Sequence, residues 1–292
     1  MKPSVFEPLR PTFSVIFTLL SLILLSGCDY DYTGDGYEVV KEIPGQEPWF
    51  TVYRPLDLNQ VIEDRGELLP TIVWGNGGCF RSEFTWQPLF KRWAAEGYVV
   101  LALSEAPLLQ GGPLGITNVA DHRALIDWAL QSAPYADMLD PTKVIAAGNS
   151  CGGVTALGVA AEDSRVAGVF VLSGSSALGS SSKKIMEAVT VPVGYVTGGP
   201  SDVAGGPAKK DYALLDEQIP AMIVNHVKVG HLNVSTDVSL LEQAADVSYH
   251  WMDLILYGNE DSYNELMSET ICSLCTPDEW EITSRQLDTL IQ

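Results

Sequence analysis

The sequence predicts an α/β fold with a mainly parallel sheet that is covered by helices on both faces. Short, continuous apolar runs alternate with segments of helical spacing, which is typical of parallel strands buried on both sides. One turn stands out, because Gly148-Asn149-Ser150-Cys151-Gly152 matches G-x-S-x-G between an apolar strand at 144–147 and a helix of small residues at 154–161. Alternation of strands and helices at this spacing favours a parallel sheet.

The first 28 residues predict an export signal that precedes the folded domain. Lys2 and Arg10 give a basic start, and residues 13–25 form an apolar run that is too short for a membrane span. The run ends in Leu25-Ser26-Gly27-Cys28, which resembles the lipobox of bacterial lipoproteins and makes Cys28 the lipidated residue. A plain secretory signal is the alternative. Both predict export, and the lipobox predicts a periplasmic or cell-surface protein that is tethered to a bacterial membrane through its N-terminal lipid.

Charge and length narrow the class of protein further. The 292 residues carry a formal net charge of -20, from 17 basic and 37 acidic side chains. Such a chain repels phosphate backbones, so nucleic acid is excluded as a partner. The length suits one large domain. We expect a tether at 29–46, the domain at 47–258 and a C-terminal extension at 259–292 that packs on it.

The predicted elements follow one another in order along the chain. The predicted strands, of which the second is expected to be antiparallel at the edge, span 38–43, 48–55, 71–75, 98–103, 144–147, 166–172, 191–196 and 221–229. The predicted helices span 82–96, 118–131, 154–161 and 237–257, and residues 57–69 are expected to form a polar loop. Asp140-Pro141 is expected to interrupt regular secondary structure just before the strand at 144–147. About eighteen residues separate the strands at 166 and 191, so there is no room for a large lid domain.

Two stretches resemble members of the α/β-hydrolase superfamily, in particular dienelactone-hydrolase-like and polyester-hydrolase-like enzymes. One is Asp-Pro-Thr-Lys-Val-Ile-Ala-Ala-Gly-Asn-Ser-Cys-Gly-Gly at 140–153, and the other is Arg-Trp-Ala-Ala-Glu-Gly-Tyr-Val-Val at 92–100. The resemblance covers roughly residues 38–257. It implies an eight-stranded, mostly parallel sheet and a nucleophile, acid and histidine that follow in that order along the chain.

Ser150 is the predicted nucleophile, and it needs a base because a free hydroxyl is a weak nucleophile at neutral pH. The chain offers four histidines, His122, His226, His231 and His250. His231 follows the last predicted parallel strand directly, so it lies at the carboxyl edge of the sheet, where Ser150 is also expected. The other three lie within predicted helices or a strand. A surface histidine in a loop is the alternative for His231.

Asp202 is the predicted carboxylate that orients the histidine. It is the first acidic residue after the strand at 191–196, in a loop that can reach His231. Asp211 and Asp216 come later, and we expect them to be ordinary solvated positions on a helix.

Two backbone N–H groups are expected to form an oxyanion hole, which holds the negative charge of the reaction intermediate. One belongs to Cys151, and the other comes from Gly78 or Cys79 in the loop after the strand at 71–75. A glycine-rich turn without this role is the alternative. Aromatic residues follow in the sequence, and they form either an apolar wall for the substrate or ordinary helix packing: Phe80, Phe84 and Trp86.

The cysteines predict two disulfides. If Cys28 carries lipid, four of the five remain, and they allow three pairings. Cys272 and Cys275 form a C-x-x-C that suits a structural disulfide better than a redox or zinc site. Because both oxyanion donors must approach one oxygen, Cys79 and Cys151 should lie close enough to form the other bond. Two small cysteines that merely pack together are the alternative.

These residues together predict an exported serine hydrolase that cleaves small or polymeric carboxylic esters through an acyl-enzyme. No metal or cofactor is implied. Within enzymes, the alternative is an acyltransferase or a peptidase with the same three residues. Outside enzymes, the alternative is a lipoprotein that binds a ligand on an inactive hydrolase scaffold.

Overall fold

A computed structural model describes residues 32, 34–46, 48–104, 117–178, 182–233, 237–267 and 279–292. The chain from Tyr32 to Gln292 forms one compact unit. The predicted lipidation of Cys28 and the predicted disulfide of Cys272 and Cys275 lie outside the described residues.

The core of the unit is a nine-stranded sheet with the order β1-β2-β4-β3-β5-β6-β7-β8-β9. The strands are β1 (Val39–Glu42), β2 (Phe50–Pro55), β3 (Leu69–Gly75), β4 (Val99–Leu103), β5 (Leu139–Asn149), β6 (Val166–Leu172), β7 (Val193–Thr197), β8 (Ala221–His226) and β9 (Trp280–Arg285). The six strands from β4 to β8 in this order run parallel, and β1, β2 and β9 are antiparallel to their neighbours. The α/β fold class is therefore confirmed.

Eight α-helices lie within the described ranges. They are α1 (Leu58–Arg65), α2 (Gln87–Ala95), α3 (Val119–Gln131), α4 (Cys151–Glu162), α5 (Ser182–Ala188), α6 (Gly205–Leu214), α7 (Val238–Tyr257) and α8 (Glu260–Met267). Alternate side chains of the strands feed two separate hydrophobic clusters, as the two-residue period of a strand requires. One cluster includes residues of α1 and α3–α6, and the other includes residues of α2, α7 and α8, so helices cover both faces.

The structure corrects the expected strand count and two local predictions. The sheet has nine strands and not eight, because Trp280–Arg285 pairs antiparallel with β8. The expected polar loop at 57–69 contains α1, in which Leu58 and Val61 are the buried residues, so its apolar face is too narrow to show in the sequence. Asp140 and Pro141 were expected to precede the strand, but they lie inside β5, at the point where its register with β3 shifts.

His122 is fully buried in α3, beside the strand end that leads to the site. Its ring is so close to Gly75 that a side chain there would meet the His122 Cε1 atom at 2.6 Å. Burial lowers the pKa of His122 to about 4, and the smaller opposing effects come from the Ala147 and Asn118 backbone and from Asp121. The neutral imidazole is therefore the form that the folded protein accommodates.

We expect the free energy of unfolding to fall as the pH is lowered from about 6.5 to about 4. The unfolded chain protonates this histidine near 6.5, whereas the folded protein resists protonation until about 4, so acid favours the unfolded state. The shift corresponds to about 3 kcal/mol across this window. Denaturant titrations at several pH values should show a flatter pH dependence for His122→Leu than for the wild type. Equal pH dependence in the two proteins would contradict the assignment.

Candidate active site

Ser150 lies on a sharp turn between β5 and α4. Its backbone has φ 50° and ψ -115°, in the left-handed half of conformational space that non-glycine residues rarely occupy. The turn is held by a hydrogen bond from the Ser150 N–H to the Leu172 carbonyl, at 3.0 Å. Such strain at a single residue is typical of functional positions, and here it carries the hydroxyl at the carboxyl end of the parallel strands.

The glycines of the motif are required by close backbone approach. A Cβ on Gly148 would lie 2.4 Å from Gly152 backbone atoms, and a Cβ on Gly152 would lie 2.0 Å from the carbonyl oxygen of Gly75. Neither distance leaves room for a side chain. The turn therefore packs directly on the end of β3, which brings the loop after β3 alongside Ser150.

The structure brings His231 to the Ser150 hydroxyl. Ser150 Oγ and His231 Nε2 are 3.1 Å apart, and His231 Nδ1 is 2.7 Å from Asp202 Oδ1. Because a carboxylate can only accept, Nδ1 carries the proton, and Nε2 is left to accept a proton from the serine. The His231 side chain is 20% exposed, so water and substrate can reach it. The predicted nucleophile, base and acid thus form one hydrogen-bonded chain.

Asp202 is fixed by backbone donors. The Gly198 N–H donates to Oδ2 and the Ala204 N–H donates to Oδ1, both at 2.8 Å, and the carboxylate side chain is fully buried. The loops that carry Asp202 and His231 are in direct contact, since the Gly230 N–H donates to the Gly198 carbonyl at 2.6 Å. This contact fixes the position of Asp202 relative to His231.

Two buried asparagines, neither of them predicted from the sequence, hold the loops of the site. Asn225, near the end of β8, accepts hydrogen bonds through Oδ1 from the Thr197 hydroxyl and the Gly199 N–H, at 2.8 and 2.9 Å. Asn76, directly after β3, accepts from the Trp74 indole at 3.0 Å and donates to the Leu103 carbonyl at 2.5 Å. A polar residue that ends an apolar strand is the sequence feature that could have indicated both positions.

The loop after β3, which is predicted to supply an oxyanion donor, is joined covalently to the turn at Ser150. Cys79 and Cys151 form a disulfide with a Cα–Cα distance of 5.1 Å, as predicted. Cys151 is the first residue of α4, so no carbonyl within the helix can accept from its N–H, and the helix dipole adds partial positive charge there. Gly78 and Cys79 both adopt positive φ, at 64° and 53°, and either can supply the second N–H.

The aromatic residues after this loop divide into two groups. Phe80 and Phe84 are exposed, whereas Trp86 is buried and packs against Trp74 with ring centroids 5.2 Å apart. Trp86 therefore belongs to the core, and the first two residues are the ones that can meet a substrate.

Asp211 is buried, contrary to the solvated position expected from the sequence. It is fully buried in α6, and its carboxylate accepts from the hydroxyls of Ser175 and Ser176 at 2.7 and 2.6 Å and from the Ser176 N–H at 2.6 Å. This network holds the loop after β6, in which Gly174 approaches Ser150 too closely for a side chain. Asp216 lies beyond the end of α6 and is exposed.

The remaining histidines lie elsewhere in the fold. His226 ends β8 and packs edge-on against Trp280. His250 contacts Ser262, whose hydroxyl donates to Asp253 at 2.7 Å. Ser262 thus lies between Asp253 and His250 and is itself buried. These three side chains link α7 to α8, and the Ser262 hydroxyl is not accessible to a substrate.

Within the described ranges, no group of three or more histidine, cysteine, aspartate or glutamate side chains is arranged to hold a metal ion. The helices of the same ranges include none that is long and apolar enough to cross a membrane. A scan of the chain against protein-family models gives no match, and a search of curated protein sequences gives none either.

Proposed function

We propose that this protein is an exported serine hydrolase that cleaves carboxylic esters through an acyl-enzyme. The observation that carries the proposal is the chain of hydrogen bonds from Ser150 through His231 to Asp202, at 3.1 and 2.7 Å. This is the geometry that activates a serine hydroxyl, irrespective of fold.

The proposed reaction begins when Ser150 Oγ attacks the acyl carbon and His231 Nε2 takes the hydroxyl proton. The carbonyl oxygen becomes an oxyanion, which the Cys151 N–H and one N–H of Gly78 or Cys79 stabilise. The intermediate collapses, and His231 gives its proton to the departing alcohol. Water then loses a proton to the same histidine, attacks the acyl-enzyme and releases the carboxylic acid, and Ser150 recovers its proton.

Access of water to the site favours hydrolysis of the acyl-enzyme over transfer of its acyl group to another acceptor. Between β6 and β7 the described residues include one short α-helix, α5, and one 3-10 turn in place of a lid domain, and His231 is partly exposed. An open site exposes the acyl-enzyme to bulk water, so an acyltransferase would need a device that excludes water.

Export is part of the proposal and has two supports. One is the N-terminal sequence that ends at Cys28, which we propose is lipidated and tethers the mature protein to a bacterial membrane. The other is the bond between Cys79 and Cys151, since disulfides persist in oxidising compartments and are rare in the cytosol.

We expect the purified protein to hydrolyse short chromogenic esters and to react with a serine-directed fluorophosphonate probe. The same assay with added methanol measures the share of acyl groups that passes to an alcohol, and a peptide panel measures amide cleavage. Hydrolysis as the main outcome supports the proposal. Dominant transfer or peptide cleavage would favour the alternative enzymes, and the absence of both turnover and labelling would favour a binding protein.

A further inference from the structure

The most exposed large apolar side chains of the described residues lie around the candidate site. Leu232 is 72% exposed, Val203 63%, and Phe80 and Phe84 are each 60% exposed. All four lie in the connections that follow the carboxyl ends of β3, β7 or β8, and Phe84 begins a short 3-10 helix within the first of these. Exposed apolar side chains mark a binding surface where they line one continuous patch or recess.

Leu232 and Val203 belong to a shallow recess of about 490 Å³ beside His231. Apart from His231, none of the described residues that line it carries an ionisable side chain. The lining consists of Ser201, Val203, Val229, Gly230, His231, Leu232 and Asn233. The recess therefore borders the base and not the nucleophile, and its walls are largely aliphatic.

The proposed chemistry decides which part of a substrate lies there. His231 Nε2 is 3.1 Å from Ser150 Oγ, and it must also reach the oxygen of the departing alcohol in order to protonate it. The alcohol portion of the ester therefore leaves on the histidine side. The carbonyl oxygen points to the N–H of Cys151, so the acyl portion takes the remaining direction at the reacting carbon, away from the departing alcohol.

Resting on the proposed function, we infer that this recess binds the alcohol portion of the ester, and that Val203 and Leu232 select an uncharged, apolar alcohol. Each substrate methylene that covers exposed surface of Val203 or Leu232 should raise kcat/KM about four-fold. An anionic alcohol portion would find no cation among the described lining residues, in a protein whose net charge is -20.

Two ester series test the assignment. One keeps an acetyl group and lengthens the alcohol from methyl to butyl, and the other keeps the methyl alcohol and lengthens the acyl group. Val203→Thr and Leu232→Asn replace the aliphatic groups with polar ones of similar shape. For the wild type we expect kcat/KM to rise about three- to four-fold per alcohol methylene. The two variants should flatten this rise and leave the acyl series unchanged.

Leu56→Asn is the matched control, because Leu56 is an exposed leucine in the turn after β2, outside the recess. It should keep both slopes. Competitive inhibition by 1-butanol gives a second readout and should weaken in the recess variants alone. An active enzyme whose alcohol slope survives both substitutions, or whose acyl slope flattens instead, would overturn the assignment of the recess. A wild type that hydrolyses neither series would overturn the proposed function, which is a different result.

Discussion

Replacement of Ser150 by alanine is expected to reduce ester hydrolysis by about a million-fold in kcat, while the protein still folds. The hydroxyl is the group that His231 Nε2 approaches at 3.1 Å, and no other hydroxyl in the described ranges is placed against that nitrogen. Activity on a chromogenic ester and labelling by a fluorophosphonate probe should disappear together. The melting temperature should stay close to that of the wild type, since the substitution removes one partly exposed oxygen.

Ser239→Ala is the control for this experiment, because Ser239 is exposed in the first turn of α7, where Asp237 caps the helix. It should keep full activity and full labelling. Substantial activity in Ser150→Ala, with the probe still attached elsewhere on the chain, would exclude Ser150 as the nucleophile and remove the basis of the proposed mechanism.

Loss of the disulfide between Cys79 and Cys151 is expected to lower stability and activity together. The bond closes a loop with a sequence separation of 72 residues, for which the chain-entropy model gives about 4 kcal/mol. For a domain of this size that corresponds to a decrease of about 10 °C in the melting temperature. Because the bond also constrains the loop and the turn that carry the two proposed oxyanion donors, a displacement of about 1 Å would lower kcat by up to about 100-fold.

The test compares the wild type with the Cys79→Ala/Cys151→Ala double variant, each with and without reductant. Reductant should lower the melting temperature and kcat of the wild type to values near those of the double variant. The double variant should not respond to reductant, and this control separates the effect from any contribution of Cys272 and Cys275. An equal response of both proteins would show that another bond is responsible.

Local patterns in the sequence predicted most of the sheet and several helices. The apolar run at 166–172 coincides with β6, and the helix expected at 118–131 matches α3, whose first turn is capped by Asn118. Such elements depend on residues within a few positions of one another, so their periods and caps can be recognised without the fold.

Elements with weak local patterns were missed for a physical reason. In α1, Leu58 and Val61 alone are buried, so the helix shows almost no apolar period. The strand β9 is half exposed at the edge of the sheet, and its pairing with β8 involves residues about 60 positions away. Asp211 has no neighbour in sequence that marks it as buried, because its partners Ser175 and Ser176 lie 36 and 35 positions earlier.

The sequence by itself determined the fold class, the turn at Ser150 and the choice of Ser150, Asp202 and His231 as candidate site residues. Tertiary structure alone decided that these three side chains meet. Ser150 and His231 follow strands that are three positions apart in the sheet, a separation of about 14 Å at the usual strand spacing. The 3.1 Å contact exists because the loops after β7 and β8 bind each other through Gly198 and Gly230 and extend across the sheet edge. Backbone contacts between loops that are distant in sequence leave no periodic trace, so this geometry could not be predicted from local pattern.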